Sequence, residues 1–119
     1  MSYDLGLYKE GKPCQVNNHQ EGANITLGGS TDAEINITWN YAFFFYNFLD
    51  KRKGLRWLYG KTAQETIPRL EKAVKSLTGW ISDGIYEKDW APTFGNARHS
   101  LSVLLDWAKQ NPDGIWDGD

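Results

Sequence analysis

The chain has 119 residues, of which 40% are hydrophobic, 24% charged and 14% aromatic. That is the length of a single domain, residues 1–119, with enough apolar material for a core, and it excludes disorder over the whole chain. One cysteine excludes an intramolecular disulfide scaffold and any multi-thiolate zinc site. No apolar run reaches the ~18 residues of a membrane helix, and Met1 is not followed by a basic and then apolar leader, so no membrane and a cytoplasmic location are expected.

The net charge of −2 conceals a partition. Residues 1–49 hold two Lys/Arg against five Asp/Glu, residues 50–75 eight against three, and residues 76–119 three against seven. A basic middle between acidic flanks attracts phosphate or an acidic protein, or it is a solvated helix face whose charges pair with the acidic ends of the same domain. The second of these is the expectation. Nucleic acid is not expected as the main partner, because the isoelectric point is about 5.6.

In chain order, Tyr3-Asp4-Leu5-Gly6-Leu7-Tyr8 alternates and predicts a first strand, broken by Gly11 and Pro13. Residues 15–22 are polar and read as an exposed loop. Ala23, Ile25 and Leu27 then share one face of a short strand, with Asn24 and Thr26 on the other. After a turn at Gly28-Gly29-Ser30-Thr31-Asp32, a further strand sets Ile35, Ile37 and Trp39 opposite Asn36, Thr38 and Asn40. Two runs of period two around a Gly-rich loop predict a β-hairpin, with Asn24, Thr26, Asn36, Thr38 and Asn40 on a common polar face. That face is either a binding site or solvated.

Tyr41 to Leu49 is the most apolar stretch. As a helix capped by Asn40 it aligns Tyr41, Phe44, Phe45 and Phe48 and leaves Phe43 and Tyr46 to the side. A helix apolar on several sides is sandwiched between layers or exposed at an interface; continuation of the strand is the competing reading. Gly54 and Gly60 bracket a short helical turn. Thr62 and Glu65 fit a capping box, while Pro68 places the start of the main helix near Thr66. Ile67, Leu70, Ala73, Val74 and Leu77 form its stripe. Residues 80–95 read as irregular, and a last helix from Asn96 to Gln110 carries Ala97, Leu101, Leu104, Leu105 and Ala108. Ile115-Trp116 either pairs with an early strand or packs over the helices.

No motif carries established chemistry. Cys14 and His99 lack any local signature of a nucleophile and its base, and His19 with Cys14 or Glu21 is not a ligand spacing. Gly60-Lys61-Thr62 lacks the Gly-rich loop of a phosphate-binding motif. No catalytic residue, metal or cofactor is therefore assigned.

Asn36-Ile37-Thr38-Trp39-Asn40-Tyr41, Gly60-Lys61-Thr62-Ala63, Ile67-Pro68-x-Leu70-Glu71, Gly95-Asn96-Ala97 and Trp107-Ala108-x-x-x-Pro112-Asp113-Gly114-Ile115-Trp116-Asp117 together resemble an uncharacterised family of small phage and prophage proteins. The resemblance covers about residues 27–119 and contains no catalytic signature. Relatives carry adjacent histidines where Asn18-His19 stands here, which weakens a metal reading further. The resemblance implies a phage or mobile-element setting and no reaction.

The expected fold is α+β, a small antiparallel sheet from the N-terminal third packed against about three helices. The expected function is that of a non-enzymatic binding protein, an accessory factor that binds a host defence or regulatory protein. A module that sequesters a small ligand or nucleotide is the first alternative, and a small enzyme using His19 or His99 as base the second. Candidate binding residues are His19, Asn36, Thr38, Asn40, Tyr41, Trp57, Trp90 and Trp116; self-association through the aromatic segment is left open.

Overall fold

The computed structural model of the chain describes residues 2–17, 24–26, 31–78 and 92–119. Alternation in the first strand does what period two requires. In β1 (Ser2–Lys9), Tyr3, Leu5 and Leu7 are buried, while Asp4 and Lys9 face water. Glu10 and Gly11 both take positive φ, 56° and 75°, the paired left-handed conformation that closes a two-residue hairpin. The chain therefore returns through β2 (Lys12–Pro13) instead of merely ending the strand at Gly11. The first part of the expected exposed loop is also anchored: Cys14 and Val16 are buried, and Gln15 bridges to Asp32.

β3 (Asn24–Thr26) and β4 (Glu34–Thr38) pair antiparallel, as the hairpin reading requires. The register, however, opposes Asn24 to Ile37, Ile25 to Asn36 and Thr26 to Ile35. The two Asn-Ile-Thr triplets are thus one residue out of step, and the expected common polar face of both strands is not in register. A second correction concerns the end of β4. The Thr38 hydroxyl accepts the Asn40 backbone N–H at 3.2 Å and starts a 3-10 turn over Trp39–Tyr41, so Trp39 and Asn40 leave the sheet.

The sheet has five strands in the order β2-β1-β4-β3, with β5 (Ile115–Gly118) paired antiparallel to β1. The sheet's inner face and three helices, α1 (Ala42–Phe48), α2 (Ala63–Thr78) and α3 (Phe94–Gln110), enclose one hydrophobic cluster. This is the expected α+β architecture. Tyr41 to Leu49 is helical, not an extension of β4; its cap is Tyr41, since Asn40 belongs to the preceding turn. Phe44 and Phe45 are buried and Phe43 is 64% exposed, so the segment is sandwiched on its predicted stripe.

α2 begins at Ala63, three residues before the start expected from Pro68, which lies inside the helix. The early start is stabilised by satisfaction of the helix's first four N–H groups. Glu65 Oε1 accepts from Thr62 N at 2.8 Å and Thr62 Oγ1 from Glu65 N at 3.4 Å, the capping box. The C-terminal segment supplies the other two acceptors, Gly114 O to Ala63 N at 2.8 Å and Pro112 O to Gln64 N at 2.9 Å. α3 begins at Phe94, with Thr93 accepting from Asn96 N at 3.1 Å as its cap. The irregular stretch expected at 80–95 lies outside the described residues up to 91. Among those described, no helix is long and apolar enough to cross a membrane.

Candidate functional site

Lys51, Arg52 and Lys53 follow α1 and are all exposed. The turn that presents them is set by Asp50. Its carboxylate accepts the backbone N–H groups of Lys53 at 2.8 Å and Arg52 at 3.1 Å and pairs with Arg69 Nη1 at 2.9 Å. The Lys53 N–H above all, with the Arg52 N–H and the Arg69 charge, holds this carboxyl below the usual range. Gly54, at φ 59°, completes the turn beside the Tyr46 ring and leads into the 3-10 turn Gly54–Leu58. Leu55 and Leu58 anchor that turn in the core, which leaves Arg56 and Trp57 half-buried at its outer side.

Each of these outward groups is held against rings. The Arg56 guanidinium lies 5.4 Å from the Tyr3 ring centre and 5.1 Å from that of Trp39, and those two rings stack at 4.8 Å. Trp57 has Arg69 at 4.2 Å and Lys61 at 4.7 Å from its ring centre. Arg56 Nε at 3.3 Å and the Tyr59 hydroxyl at 3.1 Å both donate to the backbone oxygen of Asp119. Pinned cations lose less side-chain entropy when a ligand arrives.

Two open hollows indent this basic face. One of about 430 Å³ is lined by Tyr46, Arg52, Lys53, Arg56 and Tyr59. The other, about 490 Å³, has Lys51, Arg52, Arg69, Lys72 and Asp50 over Phe48 and Leu49. Tyr3, fully buried, has a hydroxyl without a hydrogen-bond partner among the described residues. Burial first, then the neighbouring Tyr46, pushes that phenol up to about 12, against the opposing pull of Arg56. Burial likewise raises Tyr59, reinforced by Asp119.

Of the flanking acids, Glu21, Asp83, Glu87 and Asp89 lie outside the described residues. Ion pairs among the described residues are Lys9–Asp113, Arg69–Asp50 at 2.9 Å and Lys109–Glu71 at 3.4 Å. Among those residues, no cation of the 50–75 block forms an ion pair with an acid of either flank. Among the described residues, Trp57 is the one predicted site residue that belongs to this face.

Tyr41 and Trp116 are fully buried core residues, inaccessible to a partner in this fold. Asn36 lies on the outer sheet face, its amide donating to Ser2 Oγ at 2.7 Å and Asp4 Oδ1 at 2.6 Å. Thr38 caps the 3-10 turn, and Asn40 is exposed within it. His19 and Trp90 lie outside the described residues. The outer sheet face is acidic: Asp4, Glu34 and Asp117 share it, and Tyr8 donates to Glu34 Oε2 at 2.7 Å.

Among the described residues no three His, Cys, Asp or Glu side chains are grouped to hold a metal ion. Cys14 is buried and its thiol is pushed up, chiefly by that burial, so it packs as a small apolar side chain. Missing from the sequence reading were Tyr3, Trp39, Tyr46, Arg56 and Tyr59. The Lys51-Arg52-Lys53 run among rings was a signal for part of this group. In comparisons with protein-family models, curated proteins and solved structures, no match to this chain was found.

Proposed function

We propose that the protein is a non-enzymatic binding protein whose working surface is the basic, ring-supported face around the Gly54–Leu58 turn, and that its partner is a protein presenting an acidic surface. The observation behind this reading is the row Lys51, Arg52 and Lys53, exposed and without an acidic partner among the described residues. Complementary charge steers such an encounter and fixes its register. Large exposed apolar side chains among the described residues are Phe43 and Ile115, too few and too separate in sequence to form an apolar docking patch by themselves. Cys14, the chain's one thiol, is buried and held protonated, which takes the strongest nucleophile out of use. In the setting that the sequence resemblance implies, the protein is a phage or mobile-element accessory factor acting on a host defence or regulatory protein in the cytoplasm.

The test begins with a host protein captured by the wild-type chain, identified by mass spectrometry and then purified. Its binding should weaken steeply as salt rises and should be lost in the Lys51→Glu/Arg52→Glu/Lys53→Glu variant. Binding that ignores both salt and charge reversal overturns the reading.

A further inference from the structure

The geometry points to the hollow between Tyr46, Arg52, Lys53, Arg56 and Tyr59 as a pocket for a phosphate monoester. This rests on the reading of the basic face as the working surface and names the chemical group that this face takes. Among the described residues three cations and two phenols line the hollow and no carboxylate does, while Asp119 accepts from Arg56 Nε and the Tyr59 hydroxyl on its backbone oxygen. The nearest acid in sequence, Asp50, is already occupied by Lys53 N, Arg52 N and Arg69 Nη1. A lone carboxylate would leave most of this charge uncompensated. A monoester carries a charge of about −1.5 to −2 and three strong acceptor oxygens. Those acceptors match the Arg52 and Lys53 heads, the remaining N–H groups of Arg56 and the Tyr46 phenol, since Arg56 Nε and the Tyr59 hydroxyl already donate to Asp119 O.

Beneath the lining, the Arg56 guanidinium is held 5.4 Å from the centre of the buried Tyr3 ring and 5.1 Å from that of Trp39, which fixes one cation of the hollow before a ligand arrives. The volume, about 430 Å³, falls in the range of small-molecule sites, about 300–1,000 Å³. The phosphate could arrive on a phosphorylated side chain of the partner or on a free nucleoside monophosphate; the pocket chemistry is the same.

Calorimetric and NMR titrations of the full chain test this with inorganic phosphate, a phosphotyrosine peptide, its unphosphorylated and Glu-substituted forms, and a nucleoside monophosphate. The expected result is binding of phosphate-bearing probes with shifts centred on Tyr46, Arg56 and Tyr59. Arg52→Gln should weaken it about tenfold, while Lys12→Gln, an exposed change on β2 away from the hollow, should leave it unchanged. A phosphopeptide preferred over the mononucleotide identifies a phosphorylated partner; the reverse identifies a free ligand. No binding of any phosphate probe, equal binding of the Glu-substituted peptide, or equal losses from Arg52→Gln and Lys12→Gln overturns the pocket. Salt-sensitive partner capture that survives such a failure leaves the basic-face reading standing. Phosphate binding alongside partner capture indifferent to charge reversal does the opposite.

Discussion

The indole N–H of Trp116 donates to the hydroxyl of Thr66 at 2.9 Å, with both residues fully buried. Thr66 in turn donates to the Ala63 carbonyl at 2.7 Å, so β5 and the first turn of α2 are joined by one relay. The neighbouring backbone repeats the connection: Trp116 N donates to Lys61 O at 3.0 Å, and Gly60 N to Trp116 O at 2.8 Å. The C-terminal segment thus completes the sheet through β5 and, just before that strand, receives the first N–H groups of α2 on Pro112 and Gly114.

Thr66→Val keeps the shape of the side chain and leaves the indole N–H buried and unpaired, which should cost about 1–3 kcal/mol. Trp116→Phe will cost more through lost volume. In the double variant the two losses should fall short of their sum by about 0.5–3 kcal/mol. Urea unfolding of the four proteins measures this, and strict additivity would show that the bond contributes nothing.

On α1, three adjacent phenylalanines should behave differently. Phe44 and Phe45 are core residues, the former edge-on to Phe94 with ring centres 4.8 Å apart. Replacing either by Ala should cost about 3–5 kcal/mol as a cavity. Phe43, at 64% exposure, should change stability by no more than about 0.5 kcal/mol when replaced by Ala. Melting curves check the order of these losses. A drop in particle mass by light scattering for Phe43→Ala would instead assign that ring to a self-interface.

These contrasts show which parts of the molecule could be read from the sequence. The stripe Tyr41, Phe44, Phe45 and Phe48 follows from helical spacing alone, as do the alternation in β1 and the Thr62–Glu65 box. Each depends on residues a few positions apart. The early start of α2 did not follow, because two of its four N–H acceptors, Pro112 O and Gly114 O, arrive from the far end of the chain. The register of β3 on β4 is likewise set by pairing across the sheet, and local alternation could not reveal the one-residue offset. The basic face was half legible. Its cations form a run at 51–53, but β1 brings Tyr3, and the turn after β4 brings Trp39, beneath Arg56 from positions remote in sequence.

Alkaline pH should destabilise the fold through its buried phenols. Burial raises the Tyr3 phenol from 10.0 to about 12, and Tyr8 from 10.0 to about 12 with help from its bond to Glu34. For an acid whose folded pKa is raised, the unfolded chain loses its proton first. The stabilising contribution is therefore complete below pH 10.0 and falls as pH rises toward about 12. For Tyr3 the slope is at most about 1.4 kcal/mol per pH unit. Denaturation midpoints followed together with tyrosinate absorbance should decline across this window, and Tyr3→Phe should flatten the decline. A flat profile in the wild type would contradict the burial of both phenols.

Gly118 packs behind Tyr59, one wall of the basic hollow. A Cβ at this position would lie 2.5 Å from the Asp4 carbonyl oxygen and 2.7 Å from Tyr59 Cζ. The backbone oxygen is held in the β1–β5 ladder, so the shorter contact is relieved only by a shift of β5 at this position, and Tyr59 must move as well. Moving it breaks the 3.1 Å bond from its hydroxyl to Asp119 O and opens the ring to water. Gly118→Ala should therefore destabilise the protein by about 1–3 kcal/mol, as overpacking does. It should also lower the Tyr59 pKa toward its ordinary value, since burial is the main cause of its rise. Gly11→Ala is the contrasting change: a Cβ there meets nothing within 4 Å, so its cost comes from the positive φ of 75° and no ring is displaced. Thermal melts and phenol titration of the two variants separate these effects. Gly118→Ala with both an unchanged melting point and an unchanged titration would show that Tyr59 is not packed on β5.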